Sequence, residues 1–338
     1  MKSFRAREGD FIEAVEGLIF DVKGLVHPPS RVIAFVRYVP DEKGDRRRGA
    51  SRYRKVYPLK EREELLEAEY PHYLTFDRVF NERVSEVPVD RITRLYRPQE
   101  NLGRLKGEEK TDVVEEEAME FTDLLVEASG ISQSKIGVSG SIMVGLHLPT
   151  SDIDLVVYGK KNCLLVHKAL RDILANNRGL IKAYDTKVLK RLYSLRARDT
   201  PMSFKQFLRH EFRKTFQGTF RDRDFFVRYV KDWSEANEQY GETLYRPLGR
   251  GRIKAEVIDD SEAIFTPCRY LVGDVEPVDG RLPTPLREVA SFRGRFCQHL
   301  RAGESITAHG KLEWVKTEKD EYNRLLVGGD PQDYIVSM

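Results

Sequence analysis

The sequence predicts an α+β fold of two or three domains, because 338 residues suffice for that number and three stretches differ in pattern. Residues 1–100 mix strand-like apolar runs with charged helical segments, which indicates an N-terminal α+β unit. Residues 111–260 place strand-like runs between longer helical segments. Residues 261–338 carry short strands separated by Gly- or Pro-bearing turns, which predicts a small β-barrel or sandwich. A five-stranded oligonucleotide-binding barrel is one such architecture.

The N-terminal unit combines predicted strands over 18–20, 32–36 and 53–57 with predicted helices over 59–69 and 89–95. Basic side chains interleaved with aromatic ones cluster in one part of it, namely Arg46, Arg47, Arg48, Arg52, Tyr53, Arg54, Lys55 and Tyr57. Such a mixture is typical of single-stranded nucleic-acid binding, and a solvated loop explains it equally well. The polar segment 101–110 is expected to be a linker.

In the middle of the chain, apolar residues recur at helical spacing over 112–129, and Gly130 is expected to end that helix. A second helix is expected over 162–177, with two strands and a turn between the helices. Residues 186–217 are predicted to be helical, with one basic side. Strands are expected over 225–230 and 253–258.

Two carboxylates stand at the start of the second of the strands between the helices. Side chains alternate between the faces of a strand, so Asp152 and Asp154 point the same way while Ile153 points inward. Paired carboxylates suit a hard cation such as Mg²⁺, which is bound by oxygen ligands together with substrate phosphates. The turn upstream contains Gly140, which permits close approach of a phosphate, and Ser141, which offers a hydroxyl donor.

The segment 137–157 resembles the signature of the DNA polymerase beta-like nucleotidyltransferase superfamily: an apolar strand, Gly-Ser, a connection and Asp-x-Asp between aliphatic residues. The resemblance implies a catalytic core over 111–260, Mg²⁺ or Mn²⁺ as cofactor, and a nucleoside triphosphate, ATP first, as substrate. Two metal ions would then support in-line displacement at phosphorus. Many members carry an Arg where this chain has Val144.

The resemblance also implies a third acid on a neighbouring strand, which would complete the metal ligands. Glu256 is favoured, because residues 253, 255 and 257 are apolar and leave it on the opposite face of its strand. Asp224, at the start of the strand over 225–230, is the alternative. His147 and His210 are expected to have surface or packing roles rather than acid–base roles.

Three hypotheses for function remain open at this stage. The first is transfer of a nucleoside monophosphate to a hydroxyl of RNA, which the basic N-terminal unit and the expected C-terminal barrel favour. The second is AMP transfer to a protein by the same fold. The third is a nucleic-acid-binding protein with a degenerate core, and its support is Val144 together with the open choice of third acid.

Composition sets further expectations. Charged residues make up 33% of the chain while the net charge is only +3, a pattern that resembles thermophilic proteins. Cys163, Cys268 and Cys297 lack metal-ligand spacing and are expected to be core residues. The charged start of the sequence and the absence of a long apolar run predict a cytoplasmic protein without membrane contact.

Overall fold

The computed structural model describes residues 4–176, 179–197, 200–236 and 238–338. Asn177, at the end of one predicted helix, and residues 198–199, within another predicted helical segment, lie outside these ranges. The chain forms two compact units. Unit 1 comprises Met1–Thr75, Ser85–Ala183 and Thr215–Asn237, and unit 2 comprises Phe76–Val84, Tyr184–Lys214 and Glu238–Met338.

The N-terminal part of the chain contains both helices and strands. Its strands are β1 (Phe11–Ala14), β2 (Ile19–Val22), β3 (Arg31–Pro40), β4 (Arg46–Arg48), β5 (Ser51–Lys55), β6 (Leu74–Asp77), β7 (Glu82–Pro88) and β8 (Ile92–Tyr96). Its helices are α1 (Leu59–Glu69) and α2 (Pro98–Gly107). The predicted helix over 59–69 is therefore confirmed. The predicted helix over 89–95 is wrong, because a short 3₁₀ turn, Val89–Arg91, leads directly into β8.

These strands form the N-terminal sheet, in the order β4-β5-β3-β2-β1-β8, with β7 pairing to β3 and β6 to β7. One irregularity is important for the site. Along β2 and β3, Ile19 pairs with Tyr38 and Phe20 with Val36, so Arg37 is an extra residue with no partner across the ladder. Such a β-bulge redirects side chains and is common beside functional sites.

The middle of the chain contributes six helices and five strands within the described ranges. The helices are α3 (Val113–Ser129), α4 (Gly140–Met143), α5 (Lys160–Asn176), α6 (Thr186–Arg196), α7 (Phe204–Glu211) and α8 (Trp233–Ala236). The strands are β9 (Ile136–Val138), β10 (Ile153–Tyr158), β11 (Ile181–Lys182), β12 (Gln217–Phe220) and β13 (Arg223–Val230). Helix α3 begins at a capping box from Asp112 and ends at Gly130 in the left-handed conformation, as its sequence predicts.

The five strands form the central sheet, in the order β11-β12-β13-β10-β9. Strand β10 is parallel to β13, with Asp154 opposite Phe226, and antiparallel to β9, with Leu155 opposite Val138. Every residue of β10 from Leu155 to Tyr158 is buried, so this strand forms the core of the sheet. The residues that precede β10 therefore come to one edge of a buried sheet.

Unit 2 contains the last strands of the chain: β14 (Leu244–Asp259), β15 (Cys268–Pro277), β16 (Leu286–Ser291), β17 (Ser305–Lys316), β18 (Glu321–Leu326) and β19 (Tyr334–Ser337). They form the C-terminal sheet, in the order β14-β15-β16-β18-β17-β19. An additional pairing joins β14 to β17, so five of these strands form a closed ring. Within the ring only the β16–β18 pair is parallel.

Helices and strands are both abundant, so the predicted α+β class is confirmed. The three cysteines are buried and free, as expected for core residues. In the described ranges no helix has both the length and the apolar character needed to cross a membrane.

Candidate active site

The turn after β9 holds a carboxylate against a glycine. The amide of Ser139 donates to the main-chain oxygen of Asp154 at 2.8 Å. Gly140 has φ +63°, and a Cβ atom added there would lie 2.1 Å from Oδ2 of Asp154. Only glycine fits this position, because a side chain would be strained by the backbone conformation and would overlap the carboxylate. The predicted partners Gly140 and Asp154 are therefore adjacent in space.

Asp152 and Asp154 have different surroundings. Asp152 is exposed and directly precedes β10, whereas Asp154 is half-buried within it. Burial first, and then the charge of Asp152, raise the pKa of Asp154 to about 7. In the part of the chain that the structure describes, neither carboxylate forms an ion pair. Lys55, Arg228 and Arg37 lower the pKa of Asp154 in part, without forming an ion pair with it. A bound metal ion would relieve the remaining cost of burying this carboxylate.

Ser141 lies in the same turn, at the second residue of α4. It is buried, with 4% of its surface exposed, and its main-chain oxygen accepts from the amide of Leu146 at 2.9 Å. The neighbouring Ser139 donates from its hydroxyl to the main-chain oxygen of Gly9 at 2.8 Å. Hydrogen bonds of the turn thus fix it to the segment preceding β1 as well as to β10.

A polar cavity of about 40 Å³ lies beside Asp154. Its polar lining comes from both sheets of unit 1 and consists of Asp21, Arg37, Tyr38, Lys55, Ser139, Asp154 and Arg228. The sequence indicated Lys55 only as part of a basic loop, and it gave no sign of a role for Arg37 or Arg228. The signal that could have identified Arg37 and Arg228 is that each is a charged residue with apolar neighbours on both sides within its strand.

Two of the cations that line the cavity have different surroundings. Arg228 donates to Glu8 and lies 3.7 Å from Asp21, which Lys23 contacts at 2.7 Å. The side chain of Lys55 forms no ion pair with any residue that the structure describes, and its Nζ lies 5.9 Å from the ring centroid of Tyr57. Burial first, and then the charge of Arg37, lower the pKa of Lys55.

The strand beside β10 in the central sheet is β13, so Asp224 lies on the neighbouring strand and Glu256 does not. Ile153 of β10 pairs with Phe225 of β13. Asp152 and Asp224, the residues directly before this pair, therefore come to the same edge of the sheet. Asp224 also shares a face with Phe226, the residue opposite Asp154.

Glu256 does not lie on a strand beside β10, contrary to the prediction. It lies on β14, which pairs with β15 and β17 in the C-terminal sheet and has no place in the central sheet. The predicted alternation is correct, since Ile253, Ala255 and Val257 are buried and Glu256 is exposed. Alternation identifies the face of a strand and leaves its pairing partner undetermined.

The donor set fits a hard divalent cation in part. Asp152 and Asp154 offer unpaired carboxylate oxygens, which Mg²⁺ and Mn²⁺ accept as ligands. Within the described ranges, no three His, Cys, Asp or Glu side chains converge as a ready metal site. Two ligands are thus in place next to the Gly140 turn, and substrate oxygens would have to supply others.

The two histidines considered from the sequence have structural contacts. His147 binds Asp112, the residue that caps α3, with Nε2 2.7 Å from Oδ2. His210 is buried in unit 2 and stacks on His299, with ring centroids 3.8 Å apart. Their expected packing roles are therefore consistent with their positions.

Comparison with known proteins identifies the family. Residues 119–216 match the nucleotidyltransferase domain family. An uncharacterized protein of Methanocaldococcus jannaschii, MJ1086, is 31% identical over 333 residues, covering 96% of each chain. No solved structure matches this chain. The chain belongs to the DNA polymerase beta-like nucleotidyltransferase superfamily, and its relative shares nearly the whole length rather than the nucleotidyltransferase domain alone.

Proposed function

We propose that this protein is a metal-dependent nucleotidyltransferase that moves a nucleoside monophosphate from a nucleoside triphosphate to an acceptor hydroxyl. The observation that carries the proposal is the contact between Gly140 and Asp154, which brings a phosphate-accessible turn and an unpaired carboxylate to one point. ATP is the donor to test first, and Mg²⁺ or Mn²⁺ is the cofactor.

Each residue of the site has a distinct role in this proposal. Asp152 and Asp154 hold the cation together with substrate oxygens, and Asp224 replaces Glu256 as the acid to test for a supporting role, because β13 is the neighbour of β10. Gly140 lets the nucleotide phosphates approach the main chain, and Ser141 helps to hold them. When bound, the cation supplies charge stabilisation to the phosphorus centre and the leaving group.

The proposed transfer balances without any further reactant. The acceptor oxygen forms a bond to the α-phosphorus, and the bond between that phosphorus and the oxygen bridging to the β-phosphate breaks. Pyrophosphate leaves with the electron pair of the broken bond, and the acceptor hydroxyl loses its proton to solvent. Positioning by the turn and the carboxylates is the main contribution of the protein to such a reaction.

We favour RNA as the acceptor, and unit 2 supports that choice. Strands β14, β15 and β16 follow one another, and β17 returns to pair with β14, which is a Greek-key connection in a ring of five strands. Oligonucleotide-binding barrels are five-stranded and Greek-key. Strand β14 also exposes the basic side chains of Arg246, Arg252 and Lys254.

The proposal is tested by incubating the full-length protein with labelled ATP, Mg²⁺ or Mn²⁺, and either total RNA or total protein. Label is expected in RNA, and Asp152→Asn and Asp154→Asn are expected to reduce its transfer by orders of magnitude. Both variants should stay folded. Asp154→Asn should melt no lower than the wild type, because burial disfavours the ionised carboxylate that it removes.

Three results would change the conclusion. Label in protein would identify the acceptor as a polypeptide and reject RNA. Near-normal transfer by either Asn variant would reject the metal-dependent mechanism. Failure of the wild type to bind nucleotide with metal would favour a nucleic-acid-binding protein with an inactive core.

A further inference from the structure

Two cations beside the site lack an acidic partner. Arg37 and Lys55 line the same cavity as Asp154, and in the described part of the chain neither side chain has a hydrogen bond or an ion pair. Both charged groups lie near the ring of Tyr57, at 5.1 Å and 5.9 Å from its centroid. Asp21 and Asp154 interact with them electrostatically, without an ion pair among the described residues. Partly buried cations are normally paired, so this pair indicates a missing anion.

The bulge in β3 places these cations on one side of the sheet. Adjacent residues of a regular strand point to opposite faces, yet Arg37 and Tyr38 both line the cavity. Because Arg37 has no partner across the β2–β3 ladder, its side chain is free of the regular alternation. Tyr38 in turn pairs with Lys55 on β5. A local departure from regular structure thus directs Arg37 towards Asp154.

The N-terminal sheet is held against the Gly-Ser turn by packing. Buried residues of both parts form one apolar cluster, consisting of Phe11, Ile19, Tyr38, Tyr53, Tyr96, Met143, Val144 and Leu146. Arg46 donates to the main-chain oxygen of Leu146 at 2.6 Å. These contacts fix the strands that carry Arg37 and Lys55 relative to the strand that carries Asp154.

We infer that Arg37 and Lys55 bind the terminal phosphates of the nucleotide, the part that leaves as pyrophosphate. The inference rests on the proposed transfer reaction and assigns a substrate-binding role in it to the N-terminal sheet. Ser139 and Gly140 line the same cavity, so a phosphate there would meet the turn and the two cations together. The remaining cation of the lining, Arg228, is already neutralised by Glu8 and Asp21.

The size and charge of the cavity suit a phosphate group. A volume of about 40 Å³ has room for a few water molecules, which is enough for a terminal phosphate group. Arg and Lys are the usual phosphate ligands of proteins. The triphosphate would therefore extend from Asp154 into the cavity, with its nucleoside outside.

The inference is tested by calorimetric titration of the full-length protein with Mn²⁺ alone, with pyrophosphate plus Mn²⁺, and with AMP plus Mn²⁺. The variants are Arg37→Met and Lys55→Met, which remove a charge but keep an unbranched apolar chain. Each should weaken pyrophosphate binding by about tenfold or more, since contacts to charged groups are strong. Binding of AMP and of Mn²⁺ alone should not weaken.

Two further variants serve as controls. Lys60→Met removes an exposed cation on α1 that pairs with Glu64, so its pyrophosphate affinity should equal that of the wild type. Lys55→Arg keeps a cation in the cavity and should restore most of the affinity that Lys55→Met loses. Melting temperatures of all variants identify any loss of fold.

The outcomes separate this inference from the proposed reaction. Equal pyrophosphate affinity in the wild type and both Met variants overturns the inference and leaves the transfer reaction standing. Equal weakening of Mn²⁺ alone also overturns it, because the cations would then act through the carboxylates. If pyrophosphate binding depends on Lys55 but no nucleotide is transferred, the inference stands and the proposed reaction fails.

Discussion

At the scale of single residues, two glycines at the ends of the same short helix have different surroundings. Gly140 and Gly145 both have left-handed backbones, with φ of +63° and +65°. A Cβ atom at Gly140 would lie 2.1 Å from Asp154, whereas one at Gly145 would meet Arg48 only at 3.7 Å. Comparing a substitution at Gly140 with the same substitution at Gly145 therefore separates the cost of backbone strain from the cost of crowding Asp154.

The first prediction compares Gly140→Ala with Gly145→Ala. A left-handed conformation costs a non-glycine residue roughly 1–2 kcal/mol, so Gly145→Ala should lose about that much stability and keep transfer activity. Gly140→Ala should lose more stability and also the activity, because its methyl group displaces Asp154. Urea unfolding and labelled-nucleotide transfer measure the two effects. Equal stability losses, or an active Gly140→Ala protein, would contradict the role given to this turn.

The site could be predicted from sequence only where its residues lie close together in the chain. Asp152, Asp154 and the Gly-Ser turn fall within one segment, and simple alternation indicates how the carboxylates point. The third acid depends on which later strand pairs with β10, and Glu256 was chosen over Asp224 without that information. Arg37 was missed because its orientation depends on a bulge in a distant ladder.

At the scale of elements, local signals predicted α3 well, because its periodicity and caps are properties of neighbouring residues. The expected linker over 101–110 is wrong, since most of it belongs to α2. That helix looks polar in sequence, but Leu102 and Leu105 are buried, and Asn101 donates to the main-chain oxygen of Val138 at 3.0 Å. Its stability thus depends on packing that the local sequence does not show.

Helix α7 is joined to the C-terminal sheet of unit 2 by a pair of buried histidines. Nδ1 of His210 lies 2.8 Å from the main-chain oxygen of His299. Nε2 of His210 accepts a hydrogen bond from the amide of Ser337. Burial lowers the pKa of His210 to about 4, and that of His299 falls well below its usual value. Lys214 and Arg213 lower the pKa of His210 further, while Glu304 opposes them.

The second prediction is a loss of stability in acid that depends on His210. Because its folded pKa is depressed, protons bind preferentially to the unfolded chain below about pH 6.5, and the free energy of unfolding falls from there towards pH 4. One such group changes that energy by up to about 1.4 kcal/mol per pH unit. His210→Gln should give a shallower pH dependence in urea unfolding. An unchanged slope would show that other groups control acid stability.

At the scale of the whole molecule, the N-terminal part of the chain packs closely against the nucleotidyltransferase segment. Gly137 of β9 approaches α2 so closely that a Cβ atom there would lie 2.2 Å from the carbonyl carbon of Pro98. Met143, Val144 and Leu146 are buried in a cluster with the N-terminal sheet. Removing the first part of the chain would expose these apolar side chains to water.

The third prediction concerns a shortened protein that begins at Thr111. It should lack cooperative unfolding and bind a hydrophobic dye, because β9 and the Gly-Ser turn lose their packing partners. A protein that begins at Phe4 keeps these contacts and serves as the control. Near-ultraviolet circular dichroism and dye fluorescence provide the measurements. A sharp unfolding transition together with intact pyrophosphate binding in the short protein would refute the dependence.

The division of the chain into units also has a consequence for synthesis on the ribosome. Unit 2 takes Phe76–Val84 and Tyr184–Lys214 from between segments of unit 1, and the rest of it begins only at Glu238. The groups proposed to hold the nucleotide all precede residue 230, so they can assemble while the last hundred residues are still being translated. Phe76–Val84 and Tyr184–Lys214 leave the ribosome long before the rest of unit 2. A nascent chain should therefore complete its nucleotide site first, with these segments still exposed to chaperones.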